Sequence, residues 1–206
     1  GLAHVVKISQ EFIGDDPFVM YLGDNCIRDG IVSLVDAFRR ERPNCQILLA
    51  KVPNPSQFGV AELDGQNHVI GLEEKPKHPK SDYALVGVYM FDRHVFAAVR
   101  SIKPSWRGEL EITDLNGLYL KDGSLDVQLL GRGFAWLDTG THESLLEAGH
   151  FVHTIELRQG LKIACLEEIA YRNGWIDRDQ LQEQARRLGN VGYGQYLADL
   201  LEDGPK

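Results

Sequence analysis

Two aspartates follow short apolar runs that are predicted to be strands. Asp24 lies just after residues 18–22, and Asp138 directly follows residues 134–137. Because functional side chains of open α/β sheets lie beyond the carboxyl ends of strands, the fold could bring both carboxylates to one sheet edge. Two such oxygen ligands suit Mg²⁺, which keeps waters and substrate phosphates in its other positions. The alternative is that both aspartates form turns or cap helices.

Two charged segments could bind a sugar phosphate. In Glu74-Lys75-Pro76, the carboxylate could accept hydrogen bonds from sugar hydroxyls, and the ammonium is a good point-charge partner for phosphate. Arg107, between Trp106 and Gly108, could present its fork of donors to a phosphate. The alternative for these segments is a solvated charged turn, and residues 113–114 could equally open a helix.

Composition narrows the class of protein. The 206 residues are 43% hydrophobic, and 22 Lys and Arg against 30 Asp and Glu give a net charge of −8. This predicts a globular chain with no general attraction for nucleic acid or anionic membranes. No apolar run approaches the roughly 20 residues of a membrane span. Three scattered cysteines without a CxxC pair are typical of a cytoplasmic protein with free thiols.

The first half of the sequence has the alternation of an α/β fold. An apolar run, a helix-period segment and a second apolar run, at residues 18–22, 31–42 and 46–52, predict a βαβ unit with a parallel strand pair. Asp29 is a candidate cap for the helix. Residues 58–63 and 68–72 flank an Asp-Gly turn and predict a hairpin. Residues 83–91 predict a long buried strand, and Asp92 is expected to cap a helix over residues 92–100.

The second half loses the strand signal after Gly140. Strand-like segments at residues 125–130 and 134–137 are followed only by helical periodicity, near residues 145–155, 166–173, 177–188 and 195–201. We therefore predict an α/β domain over residues 1–140 and a helical C-terminal extension over residues 141–206.

Taken together in their order, these motifs resemble those of the glucose-1-phosphate thymidylyltransferase family. The resemblance runs over nearly the whole chain and is carried by residues 21–25, 58–60, 73–76, 107–114, 136–140, 158–162 and 167–172. It implies a Rossmann-like nucleotidyltransferase mixed sheet. It also implies Mg²⁺-dependent transfer of dTMP from dTTP to glucose 1-phosphate, giving dTDP-glucose and pyrophosphate for deoxysugar (dTDP-rhamnose) synthesis.

The resemblance also assigns roles to individual residues. It implies that Asp24 and Asp138 bind Mg²⁺, that Lys75 and Arg107 are catalytic residues that clamp the sugar phosphate, and that the remaining substrate contacts are Gly1, Leu2, Gly59, Glu74 and Leu85. Of these, Gly1 and Leu2 match the segment that lines the nucleobase. An interface site for inhibition by the sugar-nucleotide product is matched by Arg132, Glu168, Ile169 and Arg172. The family implies a homo-oligomer, often a tetramer.

One family motif is not found in these residues. The Gly-x-Gly-Thr-Arg loop and the following Lys, which cradle the nucleoside triphosphate, have no match, as though the chain were truncated at its N-terminal side. We therefore expect poor turnover by the 206 residues alone. Two alternatives stay open: a sister enzyme using another sugar phosphate or base, and a noncatalytic module that binds sugar phosphate or only oligomerises.

Overall fold

The computed structural model describes residues 1–189 and 192–203, which form two compact units, Gly1–Gly140 and Thr141–Lys206. The strands of the first unit are β1 (Phe18–Tyr21), β2 (Asn25–Ile27), β3 (Cys45–Lys51), β4 (Gly59–Leu63), β5 (Val69–Glu74), β6 (Tyr83–Phe91), β7 (Leu125–Leu129) and β8 (Trp136–Asp138). Its helices are α1 (Leu2–Ile8), α2 (Gln10–Ile13), α3 (Val32–Glu41), α4 (Val95–Ser101) and α5 (Ile112–Lys121).

The main sheet is mixed, as predicted, with β6 at its centre. The strand order is β5-β4-β6-β3-β7, and β1 also pairs with β6. The β3–β7 pair is parallel, whereas β6 runs antiparallel to β1, β3 and β4. A separate antiparallel ribbon joins β2 to β8 and pairs Asn25 with Asp138. This ribbon brings the two segments that carry the candidate metal ligands side by side.

Both faces of the sheet are covered, which explains the continuous apolar runs of β3 and β6. Alternate residues of β6 point to opposite sides of the sheet. Leu85, Tyr89 and Phe91 belong to a buried cluster that includes residues of α1, α4 and α5. Val86, Val88 and Met90 pack in a second cluster with residues of α3. The central strand β6 is thus buried on both of its faces.

The hairpin is confirmed, whereas the predicted βαβ strand pair is wrong. Strands β4 and β5 pair antiparallel around a turn in which Asp64 N–H donates to His68 O at 2.9 Å. Strands β1 and β3 are not neighbours, because β6, from much later in the chain, lies between them. Periodicity marks strands but carries no information about which later strand inserts between them.

Both predicted helix caps are also wrong. Helix α3 begins at Val32 without a side-chain cap, and Asp29 pairs instead with Arg28 (Nη2 to Oδ1, 2.8 Å). Helix α4 begins at Val95 with His94 at the capping position, so Asp92 lies two residues too early to cap it. The Asp92 carboxylate instead accepts from the His94 backbone N–H at 2.9 Å. In both cases the carboxylate binds a donor next to it or two residues away in the sequence and not the first turn of the helix.

The second unit is helical, with α6 (His142–Gln159), α7 (Leu166–Arg172), α8 (Arg178–Leu188) and α9 (Gly192–Asp203). Capping boxes fix the starts of α6 and α8, where Thr141 and Asp177 accept the backbone N–H groups of Ser144 and Gln180. Buried side chains from the start of α7 and from α8 and α9 share a small core of their own, made of Cys165, Leu181, Ala185, Leu197 and Leu201. None of the helices in the described residues is long and apolar enough to span a membrane.

Candidate functional site

The candidate site lies beside Leu85 and Gly87 of β6, where two other segments of the chain approach the strand. The backbone of Gly59 on β4 faces Leu85, since a Cβ on Gly59 would lie 3.5 Å from Leu85 Cδ1. Further along the strand, the Asn25 side chain contacts Gly87. One end of this site therefore holds the predicted sugar contacts, and the other end adjoins the two predicted metal ligands.

At the first end, Gly59 and Glu74 are directly paired across the β4–β5 ladder. The Thr113 hydroxyl, at the start of α5, donates to Glu74 Oε2 at 2.5 Å. A Cβ on Gly59 would lie 2.7 Å from Thr113 Oγ1 and 3.3 Å from Glu74 Oε2, so only glycine fits without a shift. The absent side chain lets the Gly59 backbone lie directly beside the Glu74 carboxylate and the Thr113 hydroxyl. The hydroxyl-binding role that the resemblance implies for both residues stays a prediction.

Burial raises the pKa of Glu74, because its carboxylate has lost much of its water. The nearby Glu111 carboxylate raises this pKa as well, while the Thr113 hydrogen bond and the charges of Lys75 and Arg107 partly offset these effects. Burial also raises the pKa of Tyr89, and the charge of Glu74 adds to that shift. Both groups therefore lie where burial and neighbouring carboxylates disfavour their charged forms.

Arg107 reaches this acidic end of the site. Its Nη1 lies 3.7 Å from Glu74 Oε1 and 3.5 Å from Glu111 Oε1, and its Nη2 lies 3.4 Å from Glu109 Oε1. Ser105 supports the arrangement: its hydroxyl donates to Glu111 at 2.8 Å and accepts from the Arg107 backbone N–H at 3.1 Å. The guanidinium is thus anchored beside Glu74, the predicted sugar contact.

Lys75 follows Glu74 at the point where the chain leaves β5. Its φ of 42° is in the left-handed region, which a lysine rarely adopts. The Lys75 backbone N–H donates to Phe58 O at 3.0 Å, and the next residue, Pro76, is buried. The strained residue is therefore held from both sides, as is common at functional sites.

At the other end of the site, one amide joins the two predicted metal ligands. Asn25 Nδ2 donates to Asp24 Oδ1 at 2.9 Å and to Asp138 Oδ2 at 3.4 Å. The Asp24 carbonyl also accepts from the Thr139 N–H at 2.7 Å. A Cβ on Gly140 would lie 2.9 Å from Asp138 Oδ1 and 3.8 Å from Asp24 Oδ2, so both carboxylates face one small space.

Asn25 is itself fixed by the sheet. Its Oδ1 accepts from the Gly87 N–H at 3.0 Å and from Trp136 Nε1 at 2.6 Å. The Trp136 ring packs against Phe58, with 5.2 Å between ring centroids. Phe58 precedes Gly59, so this chain of contacts connects the carboxylate pair to the sugar end of the site.

The carboxylate pair supplies oxygen ligands of the kind that Mg²⁺ prefers. Among residues 1–189 and 192–203 there is no group of three or more His, Cys, Asp or Glu side chains placed to hold a metal ion. Two protein carboxylates still fit Mg²⁺, because this ion commonly completes its coordination with waters and substrate phosphates.

The other predicted residues divide between the two units. Gly1 precedes α1, its amino group lies 3.7 Å from Glu109 Oε2, and the Ala3 N–H donates to Leu110 O at 3.1 Å. The segment Gly1–Leu2 thus adjoins the loop that carries Arg107. Arg132 lies in the β7–β8 loop of the first unit, whereas the other predicted regulatory residues, Glu168, Ile169 and Arg172, lie on α7 of the second. On α7, Arg172 Nη2 pairs with Glu168 Oε1 at 2.7 Å.

Sequence reasoning missed the residues that support the site, chiefly Asn25, Gly87 and Glu111. A glycine inside a buried strand often marks a close approach by another group, so Gly87 was a usable signal. Asn25 lay inside the motif at residues 21–25, but nothing local showed its role, because apart from Asp24 its partners come from residues 87, 136 and 138, which are distant in sequence. Thr113 and Glu111 lay inside a recognised motif, but nothing in the spacing showed that they would contact Glu74 and Arg107.

Comparison with known proteins agrees with this geometry. The Nucleotidyl transferase family matches residues 1–155. The chain is 48% identical over 203 residues to a glucose-1-phosphate thymidylyltransferase of Neisseria meningitidis, and 48% identical to one of Mycolicibacterium smegmatis. In each case the match covers 98% of this chain and 70% of the relative.

Solved structures show the same similarity. A protein described as a glucose-1-phosphate thymidylyltransferase from Bacillus anthracis, in complex with sucrose, superposes with a TM-score of 0.67 at 42% identity, covering 73% of this chain and 60% of that one. A UDP-glucose pyrophosphorylase bound to UDP-glucose has a TM-score of 0.67 at 20% identity, covering 75% of this chain and 62% of its own, which shows a shared fold.

The chain therefore spans about 70% of its curated relatives and 60% of the Bacillus anthracis chain. Its α/β class and mixed sheet agree with the nucleotidyltransferase fold. With 43–48% identity to curated members over nearly its whole length, the chain belongs to the glucose-1-phosphate thymidylyltransferase family of nucleotidyltransferases.

Proposed function

We propose that this chain binds glucose 1-phosphate along β6 and supports transfer of dTMP from dTTP to that sugar phosphate, giving dTDP-glucose and pyrophosphate. The observation that carries the proposal is the cluster around Glu74. It combines a glycine packed against the Glu74 carboxylate, that carboxylate fixed by Thr113, and the Arg107 guanidinium 3.7 Å from it. Such a cluster pairs acceptors for sugar hydroxyls with donors for a phosphate.

Each group of the site has a distinct role in the proposed reaction. Glu74 and the Gly59 backbone orient the sugar beside Leu85, and Arg107 and Lys75 hold its phosphate. A phosphate oxygen of glucose 1-phosphate attacks the α-phosphorus of dTTP. The bond from that phosphorus to the bridging oxygen breaks, and pyrophosphate leaves. The rate enhancement comes from positioning and charge stabilisation, with no covalent enzyme intermediate.

Asp24 and Asp138 would hold Mg²⁺. When bound there, Mg²⁺ offsets the negative charge of the phosphates. Asn25 orients both carboxylates through its Nδ2. Its ties to Gly87 and Trp136 keep this orientation fixed relative to the sugar end.

The nucleobase and regulatory contacts implied by the resemblance are also part of the proposal. Gly1 and Leu2 would line the thymine, since their segment adjoins the Arg107 loop. Arg132, Glu168, Ile169 and Arg172 would form the site of product inhibition in a homo-oligomer, often a tetramer in this family. The helical extension at residues 141–206 would serve in this assembly and its regulation.

A direct assay tests the proposal: formation of dTDP-glucose from dTTP, glucose 1-phosphate and Mg²⁺, measured together with calorimetric binding of glucose 1-phosphate. Because residues 1–206 contain no Gly-x-Gly-Thr-Arg loop, we expect binding without appreciable turnover by these residues alone. We expect Arg107→Ala to weaken binding by at least about 10-fold. Asp24→Asn, at the other end of the site, should leave metal-free binding within about 2-fold.

Each outcome has a distinct meaning. Turnover that Asp24→Asn and Lys75→Ala abolish would show that triphosphate binding is arranged in another way, and the expectation of poor turnover would be wrong. Binding that Arg107→Ala leaves unchanged would contradict the assignment of the site. A chain that binds another sugar phosphate more tightly would be a sister enzyme.

A further inference from the structure

Arg107 contacts three carboxylates in the described structure, those of Glu74, Glu109 and Glu111. Glu109 and Glu111 differ in burial and in hydrogen bonding. Glu111 has a side chain only 6% exposed, accepts from Ser105 at 2.8 Å, and is the residue just before α5. Glu109 has a side chain 41% exposed and contacts Arg107 at 3.4 Å. Its Oε2 lies 3.7 Å from the Gly1 nitrogen. One of the two glutamates is therefore fixed and the other is hydrated.

These carboxylates compete with an incoming phosphate for the same donors. The Nη1 group is shared between Glu74 and Glu111, and the Nη2 group faces Glu109. All three contacts, at 3.4–3.7 Å, are longer than the 2.7–2.9 Å that is typical of charge-assisted hydrogen bonds. The guanidinium is therefore surrounded by negative charge without being tightly bonded to it. A phosphate dianion that approaches this guanidinium must compete with the three carboxylates for its positive charge.

Glu109 is the carboxylate that can leave at low cost. Exposed ion pairs contribute little free energy, because water replaces the lost partner. Displacing Glu111 would instead leave a buried carboxylate without its cation, which is strongly unfavourable. Ser105 also connects Glu111 to the Arg107 backbone through two hydrogen bonds, which holds Glu111 in place.

We propose that Glu109 is an exchangeable counter-ion of Arg107 that the substrate phosphate displaces, while Glu111 is a positioning residue that keeps the guanidinium aimed at the site. This inference rests on the proposed function, because it takes a sugar phosphate as the ligand. It predicts effects of opposite sign for two glutamates that contact the same arginine. Glu109 weakens phosphate binding by competition, and Glu111 strengthens it by orientation.

Calorimetric titration of the 206-residue chain with inorganic phosphate and with glucose 1-phosphate tests the proposal. We expect Glu109→Gln to bind both anions about 3- to 10-fold more tightly, since the competing charge is gone. We expect Glu111→Gln to bind both about 3- to 10-fold more weakly. The matched control is Glu73→Gln, which removes the same charge from an exposed neighbour of Glu74 and should change the dissociation constants less than about 2-fold.

Unchanged or weaker binding by Glu109→Gln would overturn the proposal, and so would an equal gain in Glu73→Gln, which would indicate a general charge effect. The absence of measurable binding of either anion, by the parent chain and by Glu109→Gln at millimolar concentrations, would overturn it too. If Glu111→Gln fails to fold, the Glu109 result decides alone, because that side chain is largely hydrated. If the parent chain bound phosphate and glucose 1-phosphate equally tightly, this would count against the proposed function. The phosphate affinities of Glu109→Gln, the parent chain and Glu111→Gln would still test whether phosphate displaces Glu109.

Discussion

At the scale of single residues, Gly59 shows how the absence of a side chain shapes the site. A Cβ there would lie 2.7 Å from Thr113 Oγ1 and 3.3 Å from Glu74 Oε2. We expect Gly59→Ala to displace Glu74 and to weaken glucose 1-phosphate binding by about 10-fold or more, with a loss of about 1–3 kcal/mol in unfolding free energy from overpacking. Calorimetry and urea unfolding measure the two effects.

Gly117→Ala is the matched control for Gly59→Ala. Gly117 lies within α5, and a Cβ there meets no atom within 4 Å. Alanine favours a helix by up to about 1 kcal/mol over glycine, so this variant should be at least as stable as the parent. Its glucose 1-phosphate affinity should not change. Equal loss of affinity in both variants would show that the space beside Gly59 is not part of the binding site.

Glu74 links binding to pH at the same scale. Its pKa is raised, chiefly by burial. At a pH between the ordinary glutamate pKa and this raised pKa, Glu74 keeps a proton in the folded state that it has released in the unfolded state. The unfolding free energy therefore falls as the pH rises from the ordinary glutamate pKa to the raised pKa of Glu74. We expect Glu74→Gln to remove this decline and to weaken glucose 1-phosphate binding by about 10-fold or more.

Urea unfolding of Glu74→Gln and of the parent chain, at pH values on both sides of that window, measures the difference. Glu73→Gln is the control, since Glu73 is exposed on the same strand. Parallel pH curves for the parent chain and Glu74→Gln would contradict the prediction.

At the scale of elements, the end of β5 stores strain at Lys75. A left-handed conformation costs a residue with a Cβ about 1–2 kcal/mol, and glycine adopts it freely. We expect Lys75→Gly to unfold with about 1 kcal/mol more free energy than Lys75→Ala, although both lose the ammonium and bind glucose 1-phosphate weakly. Lys77 is the control, since its φ is not positive. There, Lys77→Ala should have the larger unfolding free energy and Lys77→Gly the smaller one. Chemical unfolding of the four variants measures these free energies. If the glycine variant were the more stable, or the less stable, at both positions, the prediction of backbone strain at Lys75 would be wrong.

At the scale of the whole molecule, we predict that exposed apolar side chains on α1 and α2 mediate self-association. The exposed fraction is 45% for Val5, 64% for Ile8 and 95% for Phe12. Exposed apolar residues that lie together commonly mark interaction surfaces. We expect the mass measured by light scattering to increase with concentration, and Phe12→Ser to reduce the increase at a cost below about 0.5 kcal/mol in stability.

Val32→Ser is the control for self-association, since Val32 is 73% exposed on α3. A mass that does not change with concentration, or an equal effect of both substitutions, would contradict the prediction.

The sequence by itself determined several of the strands and the hairpin, and it supplied the candidate site residues. The apolar run at residues 83–91 coincides with β6, and the Asp-Gly turn gave the β4–β5 hairpin, because strand period and turn chemistry are local properties. Asp24, Glu74, Lys75, Arg107 and Asp138 were identified from short motifs in their order. The resemblance to the family rested on those same motifs, and the relatives confirm it.

Only the tertiary structure decided how these residues are held. The insertion of β6 between β1 and β3 is a long-range pairing that no local pattern encodes. The same holds for the Asn25 amide between two aspartates 114 positions apart, and for the crowding of Arg107 by three carboxylates in the described structure. Charge competition at Arg107 depends on distances and burial, which arise only when β5, α5 and the loop before α5 are packed together.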